Sequence, residues 1–326
     1  MNSFGRIFRV HIFGESHGFA VGTVIDGCPA GILLSANDFL YDIERRKGGK
    51  TGTTSRKEDD SPQIISGVYN KYTTGSPIAI FFNNNDIKSE EYQNFILHPR
   101  PGHADFTAKT KFHGFNDARG GGHFSGRLTL PIVAAGVIAK IILKNIKINA
   151  NVIEAGGSIN INNAVEKAIT ANQTIGGIVE CTINGVPVGW GEPFFDSVES
   201  VISHLAFSIP AIKGIEFGNG FLSAKNTGSS QNDVIVDKTG KTATNNSGGI
   251  NGGISNGNQL IFRVAVKPAS SISIPQKTFH FEKMKIKSLE IHGRHDTCIA
   301  LRVPVILEAI TAIALADFKL LAGVNG

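Results

Sequence analysis

Three cysteines, two methionines, one tryptophan and twelve prolines are all that 326 residues contain of those types. Cys28, Cys181 and Cys298 lie far apart, with no Cys-x-x-Cys pair. That excludes a disulfide framework and a cysteine zinc site and suits a reducing compartment. Each thiol reads as a small buried hydrophobe. The ten histidines show no His-x-His or His-Glu-x-x-His spacing, so no metal is expected. The opening MNSFGRIFRVHIFGESHG has neither the apolar run nor the small-residue cleavage site of a signal peptide. The longest apolar runs, Leu130–Leu143 (broken by Lys140) and Ala309–Ala316, fall short of the ~20 residues that span a bilayer. The expectation is a soluble cytoplasmic protein without a membrane partner. No Gly-x4-Gly-Lys-Ser/Thr occurs and no Rossmann fingerprint follows the first strand, which excludes those two nucleotide-binding designs. A net charge of +5 is spread along the chain except for Arg45-Arg46-Lys47 and Lys50. Without a basic, aromatic-interleaved stripe, nucleic acid is not expected, and the surplus suits a small acidic ligand.

What the chain has in quantity is glycine, 38 residues, which points to many turns and close backbone approaches. With 41% hydrophobic and 18% charged residues the chain can bury a sizeable core. Strands are predicted at 8–13, 20–26, 64–69, 77–83, 177–183, 214–217 and 260–266, where β-branched and aromatic residues run between Gly, Asn or Pro. Helices are predicted at 35–46, 125–144 and 303–321. Short connections between strands favour an α+β fold of layered antiparallel sheets over a doubly wound parallel one. Residues 145–172, rich in Asn, Ile and Ala, read as the least constrained connection. Two glycine-rich loops, 120–122 and 248–253, lie about half a chain apart.

Five stretches could carry chemistry, the last two as one group. Gly14-Glu15-Ser16-His17-Gly18 follows an apolar strand. Adjacent strand residues point to opposite faces, so Ser16 and His17 are not expected to act as a pair, and His17 reads as a proton donor. Arg100-Pro101-Gly102-His103-Ala104-Asp105 turns at Pro-Gly and offers an anion grip beside an imidazole that titrates near neutrality. Gly120-Gly121-Gly122-His123-Phe124-Ser125-Gly126-Arg127 sets Ser125 at a possible helix N-cap, with Arg127 as a bidentate anion partner. Lys267-Pro268-Ala269-Ser270-Ser271 and Gly293-Arg294-His295-Asp296 gather cations, hydroxyls and a carboxylate. Taken singly, each is as compatible with an ordinary turn as with a site.

In order, GESHG, RPGHAD, GGxxSGRxT at 121–129, GGISNG with KPxSS at 252–271, and GRHDxC at 293–298 resemble the chorismate synthase family over nearly the whole chain. The resemblance implies one domain over 1–326, a β-α-β sandwich with largely antiparallel sheets and internal pseudo-symmetry, and a homotetramer. It implies a lyase of the shikimate pathway and aromatic amino acid biosynthesis. Such an enzyme removes phosphate from 5-enolpyruvylshikimate 3-phosphate by 1,4-anti elimination, with reduced FMN and no net redox change. The residues carried over are His17, His103 and Asp296 as catalytic, and Arg46, Arg100, Arg127 and Arg294 for substrate. For FMN they are His123, Phe124, Ser125, Pro210, Ala211, Gly252, Lys267 through Ser271 and Arg294. An NADPH contact is implied at Arg46. Three departures stand out. His123-Phe124 replaces the more common Arg-Ser, Gly52 stands where the nicotinamide-linked loop has an arginine (with Lys50 nearby), and Ala269 replaces a threonine. The chain is also trimmed around 150–175, and no separate reductase domain is seen, so an external flavin reductant is expected. The alternative is a catalytically altered flavin- or phosphate-ligand-binding homologue of the same fold.

Overall fold

Two antiparallel sheets form the outer layers. The computed structural model describes residues 2–324 apart from 57, 86–89, 292 and 294, with only the backbone of 90, 91, 93 and 324. The first sheet contains β1 (Ser3–Phe4), β2 (Arg9–Gly14), β3 (Ala20–Asp26), β4 (Gln63–Ile64) and β5 (Ile78–Asn83), in the order β1-β2-β3-β5-β4. The second contains β6 (Lys147–Ala155), β7 (Gly177–Asn184), β8 (Ile212–Phe217) and β9 (Leu260–Val266), in the order β8-β9-β7-β6. Every ladder in both sheets is antiparallel. Leaving out the short β1, the first sheet runs β2-β3-β5-β4 and the second β6-β7-β9-β8. The two halves of the chain therefore repeat one strand order.

Each half closes with a long apolar helix. These are α3 (Thr129–Leu143) after the first sheet and α6 (Val303–Val324) after the second. They pack on each other between the sheets, α3 against β3 and α6 against β6 and β7. A helix that is apolar on all sides must be buried on all sides, and both are. The stretches Gly126–Leu143 and Ile299–Gly323 are long and apolar enough to cross a bilayer by composition, yet 78% of each window is inside the molecule. Length alone, contrary to the reading from uninterrupted runs, does not separate these helices from membrane spans; their burial does. At the crossing, a Cβ on Gly136 would lie 2.3 Å from the Cβ of Ala309, so glycine sets how closely the helices approach.

Polar residues inside this layer are paired. Glu308 of α6 meets Arg45 (2.6 Å), Lys140 (2.9 Å) and the backbone N–H of Ala150 (3.1 Å), and Lys140 also meets Asp42 (2.7 Å). Asp42 and Arg45 belong to α1 (Asn37–Arg46), so the cluster joins α1, α3, α6 and β6. Near the C-terminal end of α6, the Asp317 carboxylate accepts the N–H groups of Arg6, Ile7 and Phe8 at 2.8–3.1 Å.

Most predicted elements are present within a residue or two, with two corrections. Residues 64–69 are not one strand: Gly67 (φ +80°) turns the chain between Gln63–Ile64 and Val68–Tyr69. Residues 145–172 are not a loose connection. They hold edge strand β6, whose exposed Lys147, Asn149 and Asn151 alternate with inward-facing residues, and α4 (Ile161–Thr170), which Asn160 caps by accepting the Asn163 N–H. Asparagine there marks a solvent face and a cap. Two further helices, α2 (Asp105–Lys111) and α5 (Val198–Ala206), were absent from the sequence reading.

Candidate active site

A cavity of about 920 Å³ opens where the C-terminal end of α1, the glycine loop, the 100–105 loop and α6 converge. Ligand cavities usually measure ~300–1,000 Å³, so this one lies near the top of that range. One wall is apolar, with Leu128, Ile132, Ile306, Ile310 and Ile313. The opposite character comes from Arg46, Arg56, Arg100, Arg127 and Arg302.

The glycine loop is shaped by what lies against it. Gly120, Gly121 and Gly122 all have positive φ (57°, 82° and 53°), a region costly to side chains. A Cβ on Gly120 would sit 2.2 Å from Cε1 and Nδ1 of His17, and one on Gly121 would sit 3.4 Å from Cε1 of His103. Consecutive glycines thus let two imidazoles that are 86 positions apart in the chain close on one loop. His17 is buried, with Tyr92 edge-on at 5.1 Å and Ser16 Oγ 3.2 Å from its Nδ1. Ser16 and His17 therefore do meet. The strand ends at Gly14 (φ +101°), so the alternation rule no longer applies to the turn that follows.

His103 is held by its own loop. Its Nδ1 lies 2.6 Å from Asp105 Oδ1. Asp105 also forms a bidentate pair with Arg100 (Nε to Oδ2 2.8 Å, Nη2 to Oδ1 2.8 Å) and accepts the Arg100 backbone N–H at 3.0 Å. Burial alone would raise the Asp105 pKa, but the hydrogen bonds from Arg100 and His103 overcome it and hold the carboxyl well below its usual range. Arg100 reaches Ser271 Oγ (3.2 Å), and Lys267 Nζ and Ser270 Oγ both donate to the Gly102 carbonyl (2.7 and 2.8 Å). The Lys267–Ser271 segment thus clamps the histidine loop, and Pro268 and Ala269 complete the same stretch of wall.

Arg46 and Arg127 share a buried counter-ion that sequence reasoning missed. Asp60 pairs with Arg127 and lies 3.5 Å from Arg46. Arg46 Nε also donates to Thr129 Oγ1 (2.9 Å) and Nη2 to the Gly126 carbonyl (3.0 Å); Arg127 Nε donates to Asn84 Oδ1 (2.9 Å). Both guanidiniums are therefore fixed before any ligand arrives. Burial, followed by the neighbouring Arg302 and offset in part by Asp60, pushes the Arg46 pKa down to about 9. Asp296 lines the cavity but is tied to Arg302 (3.1 Å) and accepts the Thr54 N–H at 2.9 Å.

The remaining expected residues divide. His123, Phe124, Ser125, Pro210 and Ala211 line the cavity. His123 Nδ1 donates to the Gly14 carbonyl at 2.7 Å, so this ring ties the glycine loop to the end of β2. Ser125 Oγ accepts the Arg127 N–H, capping the short turn before α3 rather than α3 itself, which begins at Thr129. Gly252 does not line the cavity; it turns the chain between Ile250–Asn251 and Ile254–Ser255 with φ +61°. Arg294 lies outside the described residues. Gly52 has a structural reason: its φ is +80°, and a Cβ would meet Val165 at 2.5 Å. An arginine does not fit there. Asp60, Arg302 and Asn84 carry no sequence signal of their own, whereas Asp105 stood inside RPGHAD two residues after His103.

A cavity of this kind, with fixed cations on one side and two held imidazoles on another, is suited to a small acidic molecule and to proton transfer; it has the character of an enzyme site for an anionic metabolite. The chain belongs to the chorismate synthase family, whose model matches residues 8–320. It is 59% identical over 322 residues to a chorismate synthase of Chitinophaga pinensis, covering 98% of this chain and 97% of that one. It is 43% identical to a chorismate synthase of Dehalococcoides mccartyi, covering 99% and 98%. Among solved structures, one described as a chorismate synthase crystal structure superposes with a TM-score of 0.76 at 26% identity, covering 98% of this chain and 93% of that one.

Proposed function

We propose that the cavity is where 5-enolpyruvylshikimate 3-phosphate loses phosphate to give chorismate, with all 326 residues acting as one domain in the cytoplasm. The observation that carries the reading is the placement of His17 and His103 against consecutive glycines, facing a cavity whose cationic wall suits a ligand with one phosphate and two carboxylates.

The cavity also fits FMN. Its volume of about 920 Å³ is that of a large ligand site, and its apolar wall matches a flat aromatic ring system. His123, Phe124, Ser125, Pro210, Ala211 and Lys267 through Ser271 would hold FMN, with His123 also tying the loop to the Gly14 carbonyl. When bound, reduced FMN supplies the electron density that breaking the C–O bond requires and takes it back as the non-acidic C–H proton leaves. The rest is work for the chain. Arg46 and Arg127, already oriented, bind the anionic groups without reorganising, which is how fixed charge stabilises developing charge. His17, with Nδ1 toward Ser16, uses Nε2 to give a proton to the departing phosphate. His103 would exchange a proton through Nε2 on the flavin side, and Asp296, paired with Arg302, would assist proton transfer there. Arg100, committed to Asp105, orients His103 more than it binds substrate. Gly52 removes one NADPH contact, which leaves Arg46 alone from that set and favours an external flavin reductant.

The test is anaerobic phosphate release from 5-enolpyruvylshikimate 3-phosphate with chemically reduced FMN. Turnover is expected with reduced FMN and none with oxidised FMN. Flavin binding without phosphate release would support the altered-homologue reading instead.

A further inference from the structure

We infer that Asp105 sets the proton on His103: it fixes hydrogen on Nδ1 and so makes Nε2 the working nitrogen toward the cavity. This rests on the proposed role of His103 but is decided by geometry of its own. Two groups compete for Nδ1, Asp105 Oδ1 at 2.6 Å and Arg100 Nη2 at 3.1 Å. A guanidinium can only donate and an ionised carboxylate can only accept. If Arg100 donated to Nδ1, that atom would present a lone pair to the carboxylate oxygen 2.6 Å away. If Nδ1 carries the hydrogen, it donates to Asp105, and Arg100 Nη2 donates to the same Oδ1 at 2.8 Å. Only the second arrangement satisfies all three groups.

The carboxylate is itself held rigidly. It accepts from Arg100 through Nε, Nη2 and the backbone N–H, and Arg100 is braced by the Phe95 ring, 4.4 Å from its guanidinium carbon, and by Ser271. Asp105 opens α2, so its backbone is fixed as well. Asp105 does not itself line the cavity and, in the proposed reaction, touches no reacting atom. It is a positioning residue acting through His103, in the manner of the outer partners that fix a ring's tautomer elsewhere.

The experiment is the ¹⁵N spectrum of the histidine-labelled, ligand-free protein, with the His103 signal assigned by its absence in His103→Ala. The wild type is expected to show the Nδ1–H tautomer at His103. In Asp105→Asn, whose amide can turn an N–H toward Nδ1, the population moves to Nε2–H. Phosphate release by Asp105→Asn should show kcat lower by about 10–100-fold with KM for the substrate within about threefold, and Asp105→Glu should recover part of it. An Nε2–H tautomer in the wild type overturns the inference, and so does Asp105→Asn with unchanged tautomer and kcat. If Asp105→Asn does not fold, the wild-type spectrum and Asp105→Glu decide. Wild-type turnover in His103→Ala would instead overturn the role of His103 and leave the tautomer assignment standing.

Discussion

Gly120 shows how a single missing side chain can carry a site. Its alanine variant would place a methyl group 2.2 Å from the His17 ring at a φ of +57°. The backbone strain alone is worth ~1–3 kcal/mol, and the ring must move to make room. We expect Gly120→Ala to lower phosphate release at least as much as His17→Ala does, about tenfold or more given what positioned acids usually contribute, and to lower the urea midpoint. Gly126→Ala serves as control for stability, since no atom lies within 4 Å of its added methyl, and it should unfold at the wild-type midpoint. Equal midpoints for both variants would refute the packing argument. Asp60 is the complementary case, a residue defined by charge. Asp60→Ala leaves Arg46 and Arg127, both buried, without the carboxylate between them. Breaking a buried pair from one side costs ~3–5 kcal/mol, so chemical denaturation should show a loss of that order.

At the scale of elements, the pattern of what was legible is physical. Strands such as 20–26 and 260–266 were readable because their neighbours pair on both sides and they are built from β-branched residues. Helices α3 and α6 were readable from length and apolarity. Strand β6 and helix α4 were not, because an edge strand and a surface helix are half polar and their asparagines mimic loop composition. The site was legible as motifs but not as contacts: His17 and His103 were named, whereas the glycines read as part of an anion loop or a turn and not as what brings the two rings together, and Asp60 had no pattern at all. The ion cluster at Glu308 was equally invisible, since its members come from four elements. It makes a pH-dependent prediction. Burial would raise the Glu308 pKa, but hydrogen bonds and charge from Arg45 and Lys140 outweigh it and set the folded value below the ordinary one. A depressed carboxyl contributes stability that is fully present above its unfolded pKa and is lost as pH falls through the folded value. Glu308→Gln should therefore be less stable than wild type by about 3 kcal/mol at neutral pH, a gap that stays level down to about pH 5 and narrows below about pH 4. A gap independent of pH would show that packing, not charge, is what glutamine disturbs.

The whole molecule is two copies of one strand order joined through their helices, which raises the question of whether each half can hold itself together. The structure argues that it cannot. Helix α6 closes the second half, yet it packs along α3 of the first, and one apolar cluster takes in buried residues of both halves, Phe8 and Phe318 among them. The chain's two ends are fastened where Asp317 accepts three backbone N–H groups from Arg6, Ile7 and Phe8. The distribution of chromophores allows a direct check: all four tyrosines, Tyr41, Tyr69, Tyr72 and Tyr92, lie in the first half, and the single tryptophan, Trp190, lies in the second. Tyrosine absorbance and tryptophan fluorescence should report the same urea midpoint, as one cooperative unit requires. Asp317→Ala, by removing charge-assisted bonds worth ~1.5–3 kcal/mol each, should shift both signals together and to the same extent. If the tyrosine transition moved while that of Trp190 stayed in place, the halves would be separable folding units. The cavity, whose walls come from both, would then depend on their docking rather than on a shared core.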